Sequence, residues 1–154
     1  MNKIIFVVTL LFAFVISMDV KADSNLPVVK QSEQWKIELL EPSKGKSFAQ
    51  GKKGDHEVYS LLVTNIEKKA AYNVYVGAFR NEQNSEKKYG LAPQMYGNKV
   101  DSEEHFSFRN FPVKTGTDQL HLVITWEDEP VAMSNGEKTN GRKYIEEVNI
   151  PLPK

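Results

Sequence analysis

A chain of 154 residues with 20 basic and 20 acidic side chains and three histidines has no net charge with which to seek nucleic acid or an anionic membrane surface. It has no cysteine, which excludes disulfides, thiolate chemistry and a lipid anchor on an acylated cysteine. A fold must therefore rest on core packing alone, which a chain of this length can supply.

The N-terminus carries Lys3, then an uncharged run from Ile4 to Met18, broken by Asp19 and Lys21. Val20 and Ala22 offer small or short side chains to a signal peptidase. The run is 15 residues long, short of the about 20 needed to cross a bilayer core. Residues 1–22 thus read as a secretory signal cleaved after Ala22, giving a secreted or extracytoplasmic protein with no membrane segment in its mature form. Removing Lys3, Lys21 and Asp19 leaves 18 basic and 19 acidic residues.

Residues 23–34 are polar and contain Pro27, the composition of a flexible lead-in. The domain proper is expected over 35–154. Trp35, Ile37 and Leu39 alternate with Lys36 and Glu38, the period of a strand. Pro42 to Asp55 is rich in glycine and lysine and reads as turns. His56–Asn65 is a second strand and Ala71–Arg80 a third, the latter rich in Tyr and Val. Asn81–Ser102 reads as a long irregular segment, with a short edge strand around Tyr89–Ala92. Glu104–Phe111 brings Phe106 and Phe108 to one face. In Gln119–Glu127, Leu120, Leu122, Ile124 and Trp126 alternate with His121, Val123 and Thr125. Asp128–Arg142 contains Asn135-Gly136 and Asn140-Gly141 and reads as a loop or hairpin tip. Tyr144–Leu152 closes the chain with Val148, Ile150 and Leu152 on one face.

Six to seven short strands without a helical period point to an all-β, antiparallel β-sandwich, with a small closed β-barrel as the alternative. The layout over Trp35–Leu152 resembles an immunoglobulin-like fold at the level of strand succession. It departs from that pattern in having no cysteine pair and in carrying a tryptophan on the penultimate strand.

Motifs of catalysis and metal binding fail their geometric tests. Lys44-Gly45-Lys46-Ser47 resembles the tail of a phosphate loop, but Leu40 stands where the leading glycine must be. His56, His105 and His121 lack metal-ligand spacing. Glu127-Asp128-Glu129 reads as a solvated acidic tip, because adjacent strand residues point apart and cannot share one cation. No catalytic residue, metal or cofactor is expected.

The third strand is more informative. Tyr72, Val74, Val76 and Ala78 form one face; Asn73, Tyr75, Gly77 and Phe79 form the other. Both are apolar, although one face of a sandwich sheet should meet water. The second strand repeats this, with Tyr59, Leu61 and Val63 opposed to Val58 and Leu62. The outer set needs a cover. Either the 81–102 segment folds back over it through Tyr89, Leu91, Met95 and Tyr96, or a partner does. The expected function is an exported, non-enzymatic binding or interaction domain using Tyr75, Phe79, Tyr89 and Tyr96. Its partner would be a protein, a cell-surface component or a second copy of the chain. Alternatives are an inhibitor or modulator of another exported protein that presents the 81–102 loop, and a hydrolase whose residues converge only in space.

Overall fold

The structure is a computed structural model that describes residues 26–81 and 85–153; the expected export signal, 1–22, lies outside them. The described residues form strands and turns, with no helix among them. The strands are β1 (Val28–Gln31), β2 (Trp35–Leu40), β3 (His56–Asn65), β4 (Ala71–Asn81), β5 (Lys88–Val100), β6 (His105–Lys114), β7 (Gln119–Glu127), β8 (Val131–Ala132), β9 (Lys138–Thr139) and β10 (Lys143–Pro151). One four-stranded sheet has the order β1-β2-β3-β6 and a second the order β10-β7-β4-β5; β8 and β9 form a separate ribbon. Every pairing is antiparallel. Both large sheets have free edges, so the molecule is an open sandwich and not a closed barrel.

Alternation places the core between the sheets. Trp35, Ile37 and Leu39 of β2 and Tyr59, Leu61 and Val63 of β3 face Val74, Val76 and Ala78 of β4 and Leu120, Leu122 and Ile124 of β7. Ile150 and Leu152 complete this cluster at the C-terminus.

Two asparagines reset the alternation. Tyr59 pairs with Phe111 and Leu61 with Phe108, so Arg109 and Asn110 together oppose Ser60 in a bulge. Asn110 has φ 51°, a left-handed conformation that asparagine tolerates better than most side chains. The bulge shifts the inward parity, so Phe106 and Phe108 before it and Phe111 and Val113 after it all pack on one core. This carries β6 on to Lys114, past its expected end at Phe111. Asn73, at φ 46°, does the same in β4 at a register shift between Tyr72 and Tyr75. Ala71 takes the core place that strict alternation assigns to Tyr72.

Asn110 also anchors the 41–55 connection. Its Oδ1 accepts from the Ser43 amide at 2.8 Å, and its Nδ2 donates to the carbonyls of Ser43 and Ala49 at 2.9 and 3.0 Å. The connection lies against the outer side of β3, where Gly51 approaches Val58 and Val58 is buried.

The expected lead-in contains an edge strand, β1, paired with β2 through Val28 to Leu39. The larger correction concerns 81–102. Residues 88–100 are a full strand, β5, on the edge of the second sheet. That removes the protruding loop on which the inhibitor reading stands. An edge strand pairs on one side only, so it accommodates Gly90, Pro93 and Gly97 where a central strand would not. The sheet edges are blunted: Pro93 lies in β5, Pro112 in β6 and Pro151 in β10, and β1 has 4 residues.

Candidate functional site: an aromatic sheet face and an end cleft

The outer face of the β10-β7-β4-β5 sheet is built row by row from its register. Ile145, Thr125, Tyr75 and Tyr96 are neighbours across the strands. The next row is Glu147, Val123, Gly77 and Gln94. The third is Asn149, His121, Phe79 and Gly90.

The rings of Tyr75 and Tyr96 lie 5.1 Å apart at 42°. Tyr75 extends along its own strand across Gly77, where an added Cβ would come within 2.8 Å of the tyrosine Cζ and 3.1 Å of the Phe79 ring. Glycine at 77 is therefore what lets the tyrosine lie flat against the sheet. Phe79 meets the His121 ring at 6.4 Å. His121 is buried although it is on the outer face, with Nδ1 2.9 Å from Asn149 Oδ1 and Nε2 3.2 Å from Glu147 Oε2. Tyr96 and Ile145 are 73% and 64% exposed.

The structure brings Tyr75, Tyr96 and Phe79 to this one face. It does not bring Tyr89 there. Tyr89 pairs with Arg80, one residue out of phase with Phe79 and Gly90, so it faces the other side of the sheet. The Arg80 guanidinium carbon sits 4.9 Å from its ring centre, a cation–π contact. The described part of the 81–102 segment does not fold back over the face. Leu91 and Met95, expected to form that cover, pack against the core, and Tyr96 stands in the open.

A second feature is absent from the sequence reading. At one end of the sandwich, between β7 and β10 and the connections β1–β2 and β3–β4, an open cleft of ≈ 460 Å³ is lined by Trp126 and Tyr144 together with Glu33, Glu67, Asp128 and Glu146. Trp126 and Tyr144 are register partners whose rings stack at 5.4 Å and 19°. Trp126 also meets the fully buried Trp35 ring at 5.8 Å in a T-shaped contact. The Trp35 Nε1 has no hydrogen-bond partner. The Tyr144 hydroxyl donates to Asp128 at 2.8 Å, which raises its pKa.

The signal for this stack was present in the sequence. A hairpin centred on 128–142 sets residue 126 opposite 144, but that inference needs the register, which composition does not supply. Glu127 also corrects the picture of a solvated tip. It is buried and accepts from Asn73 Nδ2 at 2.6 Å. Among the described residues no cluster of His, Asp or Glu is placed to hold a metal ion.

The family described as YozF-like secreted protein matches residues 19–152. A relative from Bacillus subtilis (strain 168), named "Uncharacterized protein YozF", is 29% identical over 114 residues, spanning 66% of this chain and 68% of its own. No solved structure matches the chain.

Proposed function

Because the chain belongs to the YozF-like secreted protein family, we propose that it works outside the cytoplasm as a non-enzymatic, immunoglobulin-like binding module. It takes a protein or cell-surface partner on the face formed by Tyr75, Tyr96 and Phe79. The immunoglobulin-like reading rests on connectivity, with β2-β3-β6 packed against β10-β7-β4-β5. The binding reading rests on one observation: the tyrosine pair lies on a sheet face that the chain's own described residues leave open. Tyrosine suits such a contact, since its ring covers a large area with little rotamer freedom to lose and its hydroxyl adds direction.

The test is cosedimentation of the mature protein with washed cell envelopes of the secreting strain, beside sedimentation velocity of the protein alone. Tyr75→Ala with Phe79→Ala should reduce association at least about tenfold, as loss of an aromatic anchor does. Both rings are half-buried on an outer face, so the double variant should still unfold cooperatively. A folded double variant that associates as the parent does would overturn the reading.

A further inference from the structure

We propose that the Trp126–Tyr144 cleft is a separate binding site for a small organic cation, with an alkylammonium or guanidinium group seated on the ring stack among the surrounding carboxylates. The aromatic pair forms the floor of the site. Both residues have the inward parity of their strands, yet they lie at the end of the sandwich, where the cleft leaves them only part-buried. A flat indole and phenol attract a cation through their ring faces, indole most strongly.

Glu33, Glu67, Asp128 and Glu146 line the cleft, with Lys69 as the one basic residue of the lining. Arg142 adds a second positive charge near the Tyr144 hydroxyl. The balance is negative in a mature chain that is otherwise nearly neutral. Among the described residues nothing hydrogen-bonds or ion-pairs with Glu33 or Glu146, whereas Asp128 is held by the Tyr144 phenol. Two carboxylates are thus free to meet a ligand, and a third is already oriented.

The carboxylates do not converge as a metal site, which disfavours a compact divalent ion that needs about six oxygens around it. A diffuse cation with an apolar body fits the separation. A cleft of ≈ 460 Å³ falls within the range of small-molecule sites. The site lies at the sandwich end, away from the Tyr75–Tyr96 face, so the two readings stand or fall separately.

The experiment uses fluorescence of the mature protein, whose two tryptophans are the buried Trp35 and the part-exposed Trp126. Titration with spermidine, with arginine amide and with a Gly-Arg-Gly peptide should give a saturable change. The change should disappear in Trp126→Phe and weaken at high salt. Preference for the free cations marks a metabolite site, and preference for the peptide marks a basic side chain as the source. Glu33→Gln with Glu146→Gln should weaken binding about tenfold without moving the urea midpoint. Binding that survives this double change, or the absence of saturation up to about 20 mM of every cation, would overturn the proposal. So would equal quenching by a neutral chito-oligosaccharide, which stacks on rings without needing charge.

Discussion

Asn110 does two jobs at once. Its left-handed backbone sets the bulge that keeps β6 facing the core, and its amide ties down the 41–55 connection at both Ser43 and Ala49. Asn110→Ala should cost about 2–4 kcal/mol, through orphaned backbone groups and strain at positive φ. Asn110→Gly should recover only the strain component. Urea unfolding of the two variants separates these effects, and trypsin should cut Lys44, Lys46, Lys52 and Lys53 faster in both. Neither bulge was legible from the sequence. An asparagine inside a strand pattern looks like any other polar residue on the solvent side, and only the partner strand's register shows that two residues oppose one. The face of Tyr75 and Phe79 was legible, because the parity of 73–79 is local and undisturbed beyond the Asn73 bulge. Tyr89 and Tyr96 are seven residues apart, so plain alternation along β5 already sends them to opposite faces, but a segment read as irregular offers no alternation to apply.

At the scale of the strand, β7 and β5 show what the sequence can and cannot carry. β7 was read with its observed bounds, since a central strand with one buried face alternates strongly. β5 was read as irregular, because an edge strand needs neither complete alternation nor an amide at every residue, and its glycines and proline mask the signal. The energetic contrast follows the same division. Leu122 is fully buried between strands paired on both sides, so Leu122→Ala should cost about 2–5 kcal/mol. Ile145, on the edge strand β10 and mostly exposed, should tolerate Ile145→Ser within about 0.5 kcal/mol. Denaturant midpoints of the two variants measure the difference directly.

For the molecule as a whole, stability comes from one continuous core without covalent ties, so it should show a clear alkaline limit. Burial of the Tyr59 ring, aided by its hydrogen bond to Glu57, raises the phenol pKa well above its ordinary value of 10.0. The unfolded chain then releases this proton before the folded one does. Stability is fully present below about pH 10 and falls as the pH climbs beyond it. Tyr59→Phe should flatten that alkaline limb in thermal melts recorded from neutral pH upward, while an unchanged slope would assign the limit to other groups. The sandwich architecture was legible at this scale because strand periodicity and turn signals are repeated along the chain. The end cleft was not, because its lining is assembled from four segments far apart in the chain, 32–34, 67–69, 126–128 and 144–146.

The proline-bearing borders of the two sheets carry a consequence for the protein after export. A neighbouring molecule finds three borders interrupted by proline and the fourth, β1, only 4 residues long, so edge-to-edge growth into fibrils is discouraged. Crowding outside the cell would then add little tendency towards strand-to-strand stacking.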